Sequence, residues 1–337
     1  MLKKVLIGIG VLVVAFCAIG LLLPSKVHVE RSIVIDRPAA TVFAVLDDFA
    51  QFNSWSPWAA LDPEARYEYS GPRAGVGAKL AWSGNKAVGS GTMTITADTP
   101  DRSIEVALEF SDFGASHSSF TLAPAAAGVR VTWAYDGELG MNPLMRWMGL
   151  TMDGYAGADY ERGLSKMKEV IERLPATDFA GLVAAPATTP VFTLASVPVA
   201  TTTDSRDFFP AYDKARAALE AFVKKTKAQR AAAPHSLVRV TTFDRSADKL
   251  EFAVGVPLEG DAPAAAGEVG IGLSAAEPAI KVTHRGSFAS IGAEHERIQA
   301  YLAAHRIERA GPMLEVYATD PEAPDDALVT DIYYLVR

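Results

Sequence analysis

The stretch Ile280–Pro321, IKVTHRGSFASIGAEHERIQAYLAAHRIERAGPMLEVYATDP, decides the reading of the chain. It reads as a strand, a turn at Arg285-Gly286, an amphipathic helix with Ile291, Ile298, Tyr301 and Leu302 on one face, a Gly-Pro break and a second strand. Side chains alternate across a strand, so Met313, Glu315 and Tyr317 point one way while Leu314 and Val316 point the other. Glu315 therefore shares a face with a thioether and a phenol. A carboxylate in that company lies either at the surface or in a pocket that uses negative charge.

Working outward, the same order of elements occurs twice. Val191–Ala200 reads as a strand, Asp207–Gln229 as a helix with Phe208, Tyr212, Ala215, Leu219, Phe222 and Val223 on one face, and Leu237–Phe243 and Leu250–Val256 as paired strands. Ile280–Val282, the helix near Ser290–His305, Met313–Tyr317 and Asp331–Val336 repeat that βαββ order. The residues Thr283-His284-Arg285-Gly286-Ser287-Phe288, Tyr301-Leu302, Gly311-Pro312, Leu314-Glu315-Val316-Tyr317, Asp320-Pro321 and Thr330-Asp331-Ile332-Tyr333 carry a resemblance. It is to the gyrase-inhibitor-like effector-binding domain of multidrug-responsive and arabinose-type transcription regulators. That resemblance implies a cleft between two halves for small, often cationic or aromatic molecules, with a glutamate at the position of Glu315 supplying charge. Phe192, Phe288, Tyr301, Tyr317 and Tyr333 are the candidate wall residues. No helix-turn-helix precedes the region, so a DNA-binding role is not expected.

Before it, Pro175–Pro190 (PATDFAGLVAAPATTP) is rich in Ala, Pro and Thr without a clean period, which suits a linker over residues 175–190. All five tryptophans, at 55, 58, 82, 133 and 147, precede it. The second domain is thus expected over 191–337 and the first over 26–174.

The first domain opens with an alternating strand, Val27–Ile35, and a helix over Ala39–Asp48 with Pro38 at its start. From Tyr67 to Leu139 short alternating segments separated by Gly, Pro and Asp predict an antiparallel meander. Tyr160, Leu164, Met167, Val170, Ile171 and Leu174 then repeat at helical spacing. On Trp55-Ser56-Pro57-Trp58, the turn in Ala81-Trp82-Ser83-Gly84-Asn85, Gly89-Ser90-Gly91-Thr92-Met93, Val131-Thr132-Trp133 and Tyr160–Lys168, this region resembles the helix-grip fold of the START-like, polyketide cyclase-like superfamily. The resemblance implies an apolar cavity between sheet and long helix. Trp82 and Trp133 are candidate lining residues, with Trp55 and Trp58 at its mouth, and core packing is the alternative for each.

The N-terminal segment is MLKKVLIGIGVLVVAFCAIGLLLPSK. Its run Val5–Leu23, 19 residues without charge, spans roughly 28 Å as a helix, close to a hydrocarbon core of about 30 Å. Lys3 and Lys4 precede it, which by the positive-inside bias keeps the N-terminus cytoplasmic and sends the remainder across a bacterial plasma membrane. Leu21-Leu22-Leu23-Pro24 is a poor cleavage site and bulky Phe16 precedes Cys17, so an uncleaved anchor over residues 1–25 is expected rather than a signal peptide or lipidation.

The whole is expected to be an α+β chain: anchor, helix-grip domain, duplicated effector-type domain. A formal charge of −8 and a pI near 5.3, with no basic run beyond Lys224-Lys225, argue against general nucleic-acid binding. Cys17 is the sole cysteine, which excludes an intrachain disulfide and a cysteine metal site. The histidines at 28, 117, 235, 284, 295 and 305 show no metal spacing, and Glu294-His295-Glu296 lacks the second histidine of HExxH and reads as helix-surface charge. Gly75-Val76-Gly77 and Gly89-Ser90-Gly91 are turns at strand ends, not phosphate loops. Ser116, Ser118 and Ser119 flank His117 without a legible triad. No cofactor, metal or catalytic residue is assigned, and no protein partner is legible. The expected function is binding of a hydrophobic or cationic aromatic small molecule, for sensing or sequestration. Alternatives are a hydrolase of electrophilic molecules, using Glu315 with Tyr317, and lipid or polyketide handling by the first domain.

Overall fold

A computed structural model describes residues 2–111, 114–320 and 322–337; Pro321, which helps carry the resemblance to effector-binding domains, lies outside the described residues. The chain divides into two compact units, Met1–Ala180 and Gly181–Arg337.

The first unit contains α1 (Leu2–Leu22), β1 (Lys26–Ile35), α2 (Ala39–Asp47), β2 (Arg66–Ser70), β3 (Lys79–Ser83), β4 (Ser90–Thr99), β5 (Ser103–Phe110), β6 (Gly114–Pro124), β7 (Val129–Glu138) and α3 (Pro143–Ile171). Its strands form one antiparallel sheet in the order β1-β7-β6-β5-β4-β3-β2. The first strand closes the meander by pairing with the last, with Ile33 opposite Val131 and Ile35 opposite Val129. Period-two alternation turns Val129, Val131 and Trp133 of β7, Ile104 and Val106 of β5, and Leu80 of β3 toward one core with Leu164, Met167 and Ile171 of α3. Each such side chain contributes roughly 1.5–3 kcal/mol by leaving water. Arg31 of β1 ties the sheet to α3, its Nε donating to Glu161 at 2.9 Å and its Nη1 to Asp153 at 2.9 Å.

The long helix begins well before the apolar repeat that announced it. Asn142 caps it, its side chain accepting from the Leu144 amide at 3.0 Å, and Pro143 opens its first turn. Residues 143–156 carry no inward-facing period because they pack on α1 or lie exposed, so periodicity registered only the half that covers the sheet.

The second unit contains β8 (Ala184–Thr188), β9 (Thr193–Thr201), α4 (Ser205–Thr226), β10 (Gln229–Arg230), β11 (Ser236–Asp244), β12 (Lys249–Glu259), β13 (Gly270–Leu273), β14 (Pro278–Arg285), α5 (Ile291–Ala304), β15 (Arg309–Tyr317) and β16 (Val329–Val336). The main strand order is β13-β9-β12-β11-β15-β16-β14-β8, with β10 pairing β12. The expected duplication is visible in it: β9-β12-β11 is mirrored by β15-β16-β14, so the second strands of the two βαββ halves meet at the centre. Helix α4 packs Ala215, Leu219 and Phe222 on Val238, Val254 and Val256. Helix α5 packs Ile298 and Leu302 on Ile280, Val282 and Ile332. The expected linker needs correction: within 175–190, Ala184–Thr188 is strand β8, hydrogen-bonded to β14 at the sheet edge. Its Ala-Pro-Thr composition hid the strand, since an edge strand needs one paired side and little apolar alternation.

One ionisable group is held unfavourably in the first unit. Asp47 ends α2 beside Asp48, and burial, reinforced by the Asp98 and Asp48 carboxylates and only partly opposed by the Gly75 amide, pushes its carboxyl up to about 6. A carboxyl raised above its unfolded value of about 4 contributes stability that is full below that value and lost as pH rises through about 6. Asp47→Asn is therefore expected to stabilise the first unit at about pH 8 by about 1–2 kcal/mol and to flatten the loss between about pH 4 and 6, as measured by denaturation across pH.

Candidate functional site

Glu315 sits at the central seam of the second unit. Its strand pairs with β11 on one side and β16 on the other, which puts Glu315 opposite Val238 and opposite Ile332. The facing position of the other half is thus apolar, and the seam carries one carboxylate instead of two. Met313, Glu315 and Tyr317 share the helix-covered face, as alternation requires: Met313 and Tyr317 pack into the α4 core, and α5 reaches Glu315 through His295.

The carboxylate is only 7% exposed and both its oxygens are engaged. Tyr317 donates its hydroxyl to Oε2 at 2.6 Å. His295 Nε2 lies 2.9 Å from Oε1, and His295 Nδ1 lies 2.9 Å from the Tyr334 hydroxyl. Gln299 donates weakly to that hydroxyl at 3.5 Å. With a neutral imidazole protonated on Nε2, every bond in the chain Gln299, Tyr334, His295, Glu315 runs one way and ends on the carboxylate. Such a chain satisfies a buried anion that would otherwise cost several kcal/mol.

The surrounding phenols are held as donors. Burial, then the neighbouring Glu315 charge, pushes the Tyr317 hydroxyl well above its usual range. Tyr334 is pushed up to about 12, first by burial, with Glu315 adding and Gln299 and Arg309 opposing. Burial likewise raises Tyr212. Aromatic edges complete the wall: Phe288 meets the Tyr317 ring at 5.3 Å and 79°, and Tyr212 of α4 meets it at 6.3 Å and 85°.

The structure divides the expected wall residues. Tyr317 and Phe288 are beside Glu315. Phe192 and Tyr333 pack instead with Leu237, Leu314 and Val316 on the opposite face of the sheet, because Tyr333 pairs with Leu314 in the β15–β16 register. Tyr301 lies tilted against His305 at the C-terminal end of α5, its centroid 4.0 Å away. The aromatic residue of β16 on the Glu315 side is Tyr334, reached through His295. His295 itself was read as helix-surface charge, yet it lies three and seven residues before Ile298 and Leu302, on the stripe that faces the sheet. The inward period of α5 was the signal that could have found it.

In the first unit Trp133 is fully packed rather than lining open space. Its ring stacks on Tyr160 at 3.8 Å, Trp55, Trp58 and Phe120 lie edge-on or stacked around it, and its Nε1 donates to Ser118 Oγ at 3.0 Å. Trp55 is buried in the same group, and Trp58 donates to Asp159 at 3.0 Å. Gly163 permits the approach of α3, since a Cβ there would lie 2.8 Å from the Trp133 ring. Trp82 is half-buried against Phe110 at 5.7 Å, on the same face of the sheet as Leu80 and at the edge of that core.

Residues 26–172 match the family described as polyketide cyclase / dehydrase and lipid transport, which makes the first unit a START-like helix-grip domain. No curated protein matches the chain. Among solved structures, protein CV1439 from Chromobacterium violaceum is similar at 17% identity and a TM-score of 0.33, over 44% of this chain and 99% of that one. The EcmrR C-terminal domain is similar at 15% identity and a TM-score of 0.40, over 47% of this chain and 98% of that one. Aha1 from Colwellia psychrerythraea is similar at 15% identity and a TM-score of 0.33, over 43% and 96%. The chain thus joins a helix-grip domain to a second α+β unit built of two βαββ halves.

If the phenol bond holds the carboxylate in its interior position, Tyr317→Phe leaves Oε2 without that donor while conserving the packed ring. A loss of about 1–3 kcal/mol in the unfolding free energy of the second unit is expected, read by chemical denaturation. Phe288→Leu, which removes a ring but no hydrogen bond, should leave the Glu315 interactions in place.

Proposed function

We propose that this protein is a membrane-anchored small-molecule binder whose second unit takes cationic or strongly polarised aromatic ligands at Glu315. The observation that carries the reading is the buried carboxylate itself, held between an imidazole and a phenol at the junction of two βαββ halves. A buried carboxylate is poor value as a stabiliser, since burying a charge costs more than its hydrogen bonds return compared with hydrophobic side chains of similar volume. Its use is as a charge already desolvated and aimed. A ligand cation that takes over the bond of His295 meets the carboxylate in a low-dielectric setting, and Phe288, Tyr212 and Tyr317 offer aromatic edges and faces worth about 0.5–2 kcal/mol each toward a cation.

The same geometry supports one other reading. A carboxylate 2.6 Å from a phenol and 2.9 Å from an imidazole has the spacing of acid–base groups, which suits hydrolysis of an electrophilic ligand. Titration with a cationic aromatic dye and with its neutral analogue separates the cases. Glu315→Gln keeps an acceptor for Tyr317 and should weaken the cation by at least about tenfold, about 1.4 kcal/mol, while leaving the neutral analogue and the melting temperature unchanged. Unchanged affinity for both dyes would overturn the assignment, and turnover of an electrophile abolished by the same change would favour hydrolysis.

Helix α1 is long and apolar enough to cross a membrane. With Lys3 and Lys4 at its start, we propose a single span with residues 26–337 on the extracytoplasmic side of a bacterial plasma membrane. A reporter fused after Arg337 should then be active only when it requires an extracytoplasmic compartment. Activity of a cytoplasm-restricted reporter would reverse the orientation.

A further inference from the structure

The apolar surface of α1 does not end at Leu22. It continues onto Met141, 74% exposed just before α3, and onto the first turns of α3, where Leu144 is 54% exposed, Met148 49% and Leu150 56%, while the later half of the same helix buries Tyr160, Leu164, Met167 and Ile171 in the core. Between Asn142 and Met152 the only charged residue is Arg146, and it is not offered to solvent. Its side chain, 8% exposed, donates to the carbonyls of Leu21 at 2.5 Å, Leu23 at 3.1 Å and Gly140 at 2.8 Å, which neutralises the carbonyl end of α1. The segment therefore presents thioethers and isobutyl groups to its surroundings and turns its one cation inward.

The two helices are locked at that end. Gly20 lets α3 approach, since a Cβ there would lie 2.7 Å from Pro143 Cβ and 3.0 Å from Trp147 Nε1. Trp147 stacks on Phe16 at 5.2 Å and 12°, and its Nε1 donates to the Phe16 carbonyl at 3.1 Å. Phe16 lies six residues before Leu22, about 9 Å along α1. A contact at that depth puts Trp147 alongside the last turns of the anchor, the level at which indoles sit in membranes. The first acidic side chain of α3, Asp153, comes only after this segment and pairs with Arg31.

We propose that Met141–Leu150 lies in the boundary between headgroups and acyl chains of the bilayer that α1 spans, so that the helix-grip domain is seated on the membrane and not merely tethered to it. The proposal rests on α1 being a membrane anchor. Continuity with the lipid-facing surface of α1 names the occupant: an exposed apolar patch fixed to the end of a spanning helix is already at the lipid surface, and its burial there removes the cost of holding it in water. Methionine and leucine suit that boundary because they adapt to a fluid partner without demanding polar contacts.

The test uses the full chain in lipid nanodiscs. In a Cys17→Ser background, an environment-sensitive fluorophore is attached through Leu144→Cys, Met148→Cys, Leu12→Cys or Val183→Cys, one at a time. Labels at 144, 148 and 12 are expected to lose most of their emission in discs of brominated lipid and to resist aqueous iodide, whereas the label at the exposed Val183 should do the reverse. Quenching by brominated lipid at 12 with iodide quenching at 144 and 148 would overturn the seating while leaving the anchor. A label at 12 that ignores brominated lipid would overturn the anchor and the seating with it. Labels at 144 and 148 shielded from both quenchers would mean that protein, such as a second copy, covers the patch, which also overturns the proposal.

Discussion

The antiparallel pairing of β11 with β15 is the constraint on which the second unit depends. It joins two βαββ halves through their second strands, so helices from both halves reach the same face and converge on one register position, Glu315 opposite Val238. A shift of one residue in that pairing would turn Glu315 to the face occupied by Leu314, Val316 and Tyr333 and bring apolar residues under the helices' polar groups. The hydrophobic pattern of both strands therefore specifies the seam, and the seam specifies where the charge sits.

That charge is costly to bury, and the fold meets the cost with donors from three elements. Tyr317 comes from the same strand, His295 from α5, and Tyr334 from β16 behind the imidazole. Burial keeps the Tyr317 and Tyr334 hydroxyls protonated, and His295 is held between Tyr334 and Glu315. Fixed donors of this kind leave the group little freedom to reorient.

The first unit shows a different solution in the same size class. Where a helix-grip sheet and its long helix enclose their interior, rings of Trp55, Trp58, Phe120, Trp133 and Tyr160 fill the space between β6, β7 and α3 with stacked and edge-on contacts. These contacts rigidify the unit at the half of α3 that covers the sheet. The other half of α3 serves α1, where Gly20 and Trp147 make the crossing close. One helix thus carries two jobs along its length, which is why its apolar pattern changes partway.

The order of elements, the duplication and the shared face of Met313, Glu315 and Tyr317 were legible in the sequence, because strand and helix periods are local properties of the backbone. The meander of the first unit and its closing helix core were legible for the same reason. What lay beyond local pattern was everything that depends on which strands pair and in what register. Alternation within β16 does not say whether Tyr333 or Tyr334 shares the face of Glu315; only the pairing of Ile332 with Glu315 decides it, in favour of Tyr334. Phe192, just before β9, packs on the opposite face, and β8 escaped notice because an edge strand is defined by its partner β14 more than by its own composition. His295 stood on a visible inward stripe, but the carboxylate it bonds is 20 residues away along the chain. Local chemistry determined which residues could bear charge and which could be buried, and the tertiary pairing alone decided which of them meet, because contact across a sheet is a property of register and not of sequence distance.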